Sequence, residues 1–600
     1  MTPALSQGRP FANPPPTPPR PVTFCSACAT ELGRGHDHDC KPQNKAENLR
    51  KSGLLNTPTK TTEQKMVTGA LKTMAIDLGT ACLSLKSKRG YVKVATGKAA
   101  EKAEEPVIDH NTLHMMKSTT DQSGKKMIKG LGIVRARTGV QIEPNFREHM
   151  YQRNQALKEH FIWTREHFHE TDRDAKGKVK GKTAQRASLK HLVYTPNVEA
   201  LKERIILERG WEDRTDVDVK IGIDSGSTDG NDMLKFCMVL QRSGDHDDDL
   251  NSPEKKKPVK RQLKLLDDFK DGGVKKLIIL AVGFKIPENY TNVLRIMELV
   301  GINRFTATFS CDLKMVNMIL GLQSAGATFS CPYCECDSSN WNADARLRTF
   351  GNIRAYQRNW TQQSGQRSQL SKFMNCEFEP LIEGENHQYT IEVVVPPQMH
   401  IFMGIADKIW KSIKANLEQF DSLHSNETQH LKQFEALLKS NGITGTVHGP
   451  HRGLIGPEAN KLCQISDQIL RLLPYCFKHY ANCLKKLREV QDACLGLMLM
   501  ANWREKIAEF EESYRRLGIN MTIKCHILCH DIPRYLEMPN KKPLGYVTEQ
   551  QFESVHADFA TTFRNHKIPR DEDHENFGPK FLSSVIHYNS NHMGFRERDE

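Results

Sequence analysis

Nowhere in this chain of 600 residues do about 18 apolar residues follow one another, so the sequence offers no segment suited to cross a bilayer as a helix. Its opening, MTPALSQGRPFANPPPTPPRP, lacks the apolar core of a secretory leader, and the expectation is an intracellular protein without a membrane partner. Aromatic residues are scarce at 7%, and acidic residues are outnumbered, 72 Asp and Glu against 85 Lys and Arg, for a net charge of +13. That balance excludes a highly acidic solvating polypeptide and favours an acidic partner, double-stranded DNA first. The 16 cysteines have no secretory context, so a disulfide framework is set aside in favour of reduced thiols and metal ligands. What remains, 38% apolar and 26% charged, is ordinary globular composition in a chain long enough for several domains.

Two cysteine pairs are spaced Cys-x2-Cys. The first follows a Pro-rich leader, residues 1–23, read as disordered. At 24–45, Cys25, Cys28, His38 and Cys40 have the makings of a small zinc module, with His36 as an alternative third ligand. Residues 46–126 are basic and read as a partly helical linker or DNA-contacting region, and 127–210 as a helical region ahead of the core. The lysines and arginine at 255–261 resemble a nuclear-import cluster, hence a nuclear location. The second pair, Cys331 and Cys334, needs two further ligands because structural zinc is four-coordinate. His526 and His530 supply them at i,i+4 spacing, on one face of a helix, with Cys525 as the alternative to His526.

Strand patterns begin at Val217. VDVKIGID, a Gly/Ser/Asp turn and MLKFCMVLQ read as a hairpin, VKKLIILAVGF as a third strand, PENYTNVLRIMELV as a helix and RFTATFS as a fourth strand. A helix from Leu313 to Gln323 and a short strand at 327–331 complete the order β-β-β-α-β-α-β. This is an α/β succession, that of a ribonuclease H-like core, in which the first and fourth strands are neighbours and Asp224 and Asp312 end side by side. Clustered carboxylates of this kind hold two Mg²⁺ or Mn²⁺ ions for phosphodiester chemistry. Glu553 is the expected third acid, Glu549 its reserve one turn earlier, and Asp229 a competitor to Asp224. The core's first part, 211–336, is thus parted from the His pair and last core helix, 521–570, by a large all-helical insertion at 337–520, with a C-terminal tail at 571–600. His400, His448 and His451 read as structural or DNA-facing, and Leu495, Met498 and Leu499 as helix core.

These residues resemble a known family. Asp312-x-Lys314-x-Val316-x4-Gly321-Leu322-x2-Ala325-Gly326-x4-Cys331-x2-Cys334 is similar to the catalytic block of the recombination-activating recombinase of V(D)J joining and its Transib transposase relatives. The likeness extends to Thr138-Gly139-x-Gln141-Ile142, Leu347-Arg348-Thr349-Phe350, Gly456-x3-Asn460-Lys461-Leu462 and Glu553-Ser554. The resemblance implies a DDE-type DNA strand-transfer enzyme with endonuclease activity. Asp224, Asp312 and Glu553 would be its Mg²⁺ or Mn²⁺ ligands, and Cys331, Cys334, His526 and His530 its Zn²⁺ ligands. A homodimer on double-stranded DNA, with an accessory subunit, is the matching assembly. The alternative expectation is a transposon-derived, catalytically inactive nuclear DNA-binding or zinc-organised interaction protein.

Overall fold

The computed structural model describes residues 144–170, 187–242 and 273–594, apart from 324–325, 342–344, 364, 425–428, 449–450 and 540. It also describes Leu113 and short strands in the first unit. The candidate zinc ligands Cys25, Cys28, His36, His38 and Cys40 lie outside the described residues, as do the cluster at 255–261 and nearly all of the basic region 46–126. The chain divides into two compact units, Met1–Arg147 and Glu148–Glu600. In the first, Thr23–Phe24 pairs with Glu31–Leu32, Cys82–Ser87 with Gly90–Ala95, and Val107–Ile108 with Gln141–Ile142.

The second unit is built on a six-stranded mixed sheet. Its strands are β1 (Ile162–His169), β2 (Ala187–Tyr194), β3 (Val217–Thr228), β4 (Asn231–Arg242), β5 (Ile278–Phe284) and β6 (Thr308–Phe309). They lie in the order β6-β3-β4-β5-β2-β1, antiparallel throughout except where β6 runs parallel to β3. Every residue of β5 is buried, as are nine consecutive residues of β4, which is why these two sequences read as unbroken apolar runs and sit at the sheet centre.

Four expectations about elements are corrected. The region 127–210 is not all helical: its charged EHFHE and SLK stretches belong to two strands at one side of the sheet, in which only Phe168 and His191–Val193 are buried, so no apolar alternation marks them in the sequence. The helix after Asp312 stops at Ile319, because Gly321 turns the chain at φ +70° and passes so close to Phe378 that a Cβ would lie 2.2 Å from its carbonyl oxygen. No strand forms at 327–331. The sheet edge beside β6 is taken instead by Val394 and Val395, whose backbone reaches Phe309 (Val395 N to Phe309 O, 3.0 Å). Finally, 571–600 is more than a tail, since Phe577–His592 is a helix whose Asn589 amide brackets the backbone N–H and C=O of Ile279 in β5, each at 2.8 Å.

The helices used below are α1 (Tyr290–Val300), α2 (Leu313–Ile319), α3 (Gln398–Leu423), α4 (Ile523–His526), α5 (Gln550–Asn565) and α6 (Phe577–His592). α3 buries Ile401, Ile405, Ile409, Ile413 and Leu417 at four-residue intervals, anchoring the inserted stretch that separates β6 from α5. That stretch is not all helical as expected, because Thr446–His448 pairs with His451–Gly453 as a short hairpin. Near the end of that stretch, Leu495 is buried but Met498 and Leu499 are exposed in a loop, because the preceding helix ends at Cys494; they are not helix core. No described helix is long and apolar enough to cross a membrane.

Candidate functional site

The register of two parallel strands sets the first group of side chains. Ile221 of β3 lies opposite Phe309 of β6, so Asp224 and Asp312 are each three residues further on; Asp312 has left the sheet, whereas Asp224 is still within β3, which runs on to Thr228 where a turn was expected from residue 225. Asp312 caps α2, its Oδ1 accepting from Met315 N at 2.7 Å. Residues 220, 222, 224 and 226 share one face of β3, as the two-residue period of a strand requires. α5 packs across that face. Glycine at 222 and 226 makes room: a Cβ would fall 2.1 Å from Phe552 Cγ at the first and 2.8 Å from His556 Nε2 at the second. At 220, the buried ammonium of Lys220 reaches the carbonyls of Tyr546 and Thr548 and the Gln551 amide, tying the start of α5 to the strand.

This packing brings Glu553 within electrostatic range of Asp224, which also feels Asp312. Burial raises the Asp224 carboxyl above its ordinary range. A hydrogen bond from His556 opposes that shift, and the negative charges of Glu553 and Asp312 add to it. His556 Nε2 lies 2.7 Å from Asp224 Oδ2, and its Nδ1 meets the Lys235 ammonium, which also bonds Thr228 Oγ1 at 2.6 Å. Burial brings Lys235 down to about 7. On the other flank His400, at the start of α3, stands between two glutamates, Nε2 3.1 Å from Glu553 Oε1 and Nδ1 3.3 Å from Glu549 Oε1. Burial opposes a charge on His400, but those two hydrogen bonds prevail and push it up to about 10.

The same contacts separate the alternatives. Glu549 is 2% exposed and its Oε1 also accepts from the His400 backbone N–H at 2.9 Å, whereas the Glu553 side chain is 39% exposed and faces the cleft. Asp229 sits with Gly230 at the tip of the β3–β4 hairpin, both at positive φ, and pairs with Arg564 at 3.5 Å; it is not among the charges acting on Asp224. Sequence reasoning missed His556, Lys235 and a fourth acid, Glu288, which is bonded to Lys314 at 2.6 Å and feels both Asp312 and Asp224. The only sequence trace of Glu288 is its place between a strand and Asn289, the cap of α1.

A second group joins distant parts of the chain. Ligand atoms of Cys331, Cys334, His526 and Asp531 all lie within 4.8 Å of one another and are buried, so these residues could hold a metal ion. Cys331 Sγ is 3.1 Å from Asp531 Oδ2, Cys334 Sγ 3.1 Å from His526 Nε2, and His526 Nε2 3.4 Å from Asp531 Oδ2. The other imidazole nitrogen, Nδ1, meets the Trp341 carbonyl, which leaves Nε2 turned to the cluster, as a metal-binding imidazole requires. Arg348, fully buried, donates to the carbonyls of Cys331, Cys334, Phe329 and Met374 and so shapes the cysteine loop. Burial opposes a charge on His526, yet Asp531 and Cys334 push it up to about 11.

His530 is not in this group, and Asp531 is. The reason is a π-helical turn over Ile527–Asp531. In a regular α-helix residues five apart diverge by about 140°, whereas a π turn closes i to i+5 and stacks them. His530 instead lies beside the His526 ring at 5.1 Å, with Nε2 3.6 Å from Glu511, and Cys525 faces Cys529 and Cys483.

A family model described as a domain of unknown function (DUF8703) matches residues 259–371, a segment that includes β5, α1, β6, Asp312 and the Cys331–Cys334 pair. No curated protein matches the chain.

Proposed function

We propose that this chain is a divalent-metal-dependent DNA strand-cleavage and strand-transfer enzyme of the DDE type, on a ribonuclease H-like core, as its resemblance to the recombination-activating and Transib families implies. The observation that carries this reading is the placing of Asp224 on β3, Asp312 just past the parallel-paired β6, and Glu553 on the helix laid across β3, with the charges of Asp312 and Glu553 both acting on Asp224. Three carboxylates offer only hard oxygen donors, the set that suits Mg²⁺ or Mn²⁺. Burial and mutual repulsion already raise Asp224, so cations there would relieve an existing electrostatic cost. When bound, paired ions of this kind supply activation of the attacking oxygen and stabilisation of the leaving one.

The chain's own side chains hold the acids in place. His556, backed by Lys235, fixes one oxygen of Asp224; His400 fixes Glu553; the cap to Met315 fixes Asp312. Such preorganisation lowers the reorganisation needed as charge develops. Water would open one strand, leaving a 3′-hydroxyl that then attacks a second phosphodiester. The matching assembly is a nuclear homodimer on double-stranded DNA, with an accessory subunit.

In this reading Cys331, Cys334, His526 and Asp531 take Zn²⁺. Two thiolates, an imidazole and a carboxylate are the four ligands of a closed structural site, and the ion would cross-brace segments about 200 positions apart, as the separation of Cys331 and Asp531 shows. Cys25, Cys28, His38 and Cys40 are proposed as a second such site. The test of the chemistry is nicking of supercoiled plasmid in Mn²⁺ by wild type and Asp312→Asn. Loss of nicking in the variant, with duplex binding retained, supports the proposal; equal nicking by both overturns it.

A further inference from the structure

α4 is a single turn, and it carries two residues with different duties. His526 faces the Cys331–Cys334–Asp531 group, while Lys524, two residues earlier, extends the other way across α3. It crosses at Gly404: a Cβ there would fall 2.3 Å from Lys524 Cδ and 2.5 Å from its Nζ, so a side chain at 404 would push the lysine stem off this path. Gly404 lies on the same stripe of α3 as His400 and Asp407, at i, i+4 and i+7, and His400 is the residue that holds Glu553. The ammonium is thereby led toward the carboxylate site.

What it does there is unusual among the cations of this cleft. Lys220 and Lys235 are consumed by hydrogen bonds within the protein. The Lys524 ammonium has no hydrogen bond or ion pair among the described residues, although Asp312, Asp407 and Glu549 all act on it electrostatically. Each of those acids is otherwise engaged: Asp312 with Met315 N, Asp407 with Lys411 at 2.7 Å and Leu454 N at 3.0 Å, and Glu549 with His400. A half-buried ammonium kept beside carboxylates without closing on one is placed for an anion brought in from outside.

We propose that Lys524 is a further catalytic residue, whose ammonium hydrogen-bonds a non-bridging oxygen of the DNA phosphodiester lying over Asp312. This rests on the function proposed above. In the hydrolytic step the water oxygen forms its bond to phosphorus, the P–O3′ bond breaks, the water proton goes to solvent, and the 3′-oxygen takes a proton from solvent. Lys524 remains protonated throughout and stabilises the charge that gathers on the equatorial oxygens.

The test compares wild type, Lys524→Met, Lys524→Arg, Gly404→Ala and Asp312→Asn on supercoiled plasmid. Nicking is followed in Mn²⁺ under single-turnover conditions, DNA affinity is measured in Ca²⁺ and in EDTA, and bound metal is counted to verify that the Cys331 group is intact. Lys524→Met is expected to slow nicking about 100-fold, the range for loss of one such donor. It should also lose most of the affinity that Ca²⁺ adds over EDTA, keep its affinity in EDTA, and recover in part as Lys524→Arg. Gly404→Ala, which blocks the stem without removing the charge, should behave like Lys524→Met. Wild-type nicking by Lys524→Met beside a dead Asp312→Asn overturns the role of Lys524 and leaves the carboxylate site standing. If Asp312→Asn also matches wild type in nicking and in Ca²⁺-dependent affinity, both proposals fall.

Discussion

Gly222→Ala probes the seam between β3 and α5. A methyl at this position would sit 2.1 Å from Phe552 Cγ, roughly 1.3 Å short of the 3.4 Å at which such a contact becomes ordinary. Phe552 is 3% exposed and cannot swing into solvent, so α5 itself must move outward. Overpacking of this kind costs about 1–3 kcal/mol. Glu553 is the next residue along α5, and under the function proposed above a displacement of about 1 Å of its carboxylate is enough for a roughly 100-fold loss of rate. Gly230→Ala is the control: nothing lies within 4 Å of its new methyl, but φ is +77°, so the cost is about 1–2 kcal/mol of backbone strain at the hairpin tip, beside Arg564 at the opposite end of α5 from Glu553. Urea unfolding and Mn²⁺-dependent plasmid nicking are measured on both variants. Both should lose stability, and Gly222→Ala alone should lose nicking. A Gly222→Ala protein that nicks at the wild-type rate would refute the claim that the glycine face of β3 positions Glu553.

Other expectations follow from the same contacts. Elemental analysis of gently purified protein should find a metal ion that Asp531→Ala and Cys331→Ser release and His530→Ala keeps; retention by Asp531→Ala would return the fourth position to His530. Because binding of a buried structural metal ion contributes folding free energy, Asp531→Ala should also become protease-sensitive. Glu553→Gln should abolish nicking without unfolding the protein. Glu549→Gln should chiefly destabilise the start of α5, since its carboxylate is buried against the His400 backbone; a dead but fully stable Glu549→Gln would reverse the assignment. Asp558, bonded to His592 at 2.8 Å and to Lys275 at 2.6 Å, is held well below the usual carboxylate range despite its burial. A depressed carboxylate stabilises the fold above its unfolded value, near pH 4, and loses that contribution as pH falls. Asp558→Asn should therefore be destabilised at pH 7, with the gap to wild type closing on acidification below about pH 4; a gap that is independent of pH would show that the charge is not what matters.

How much of this was legible before the fold is clearest at Asp224 and Asp312. Strand alternation and an acidic residue after each apolar run are local signals, and a crossover helix between β5 and β6 is enough to set β6 parallel to β3, so their convergence could be read from element order. Glu553 needed the remote helix α5 to be recognised, and the choice between it and Glu549 was open, because both lie on nearly the same helix face. Burial separates the two: the His400 backbone claims Glu549, and the Glu553 side chain is the more exposed. His400 itself offered no distinguishing sequence signal, since one histidine at a helix start looks like any other.

The sequence by itself determined the elements whose signals are short-range. The apolar runs of β4 and β5, the Asn caps of helices such as α1, the Cys331–Cys334 knuckle and the cation excess all follow from residues adjacent in the chain. Only the tertiary structure decided which distant groups complete each site. A regular helix would have presented His526 with His530, and one π-helical turn presents Asp531 instead, a switch of backbone hydrogen bonding with no fixed residue signature. The sheet edge beside β6 went to Val394–Val395 rather than to the nearby 327–331, and the outer strands β1 and β2 were hidden by their solvated faces. In each case the winning contact joins residues far apart in sequence, and its free energy exists only once the rest of the chain has brought the partners together.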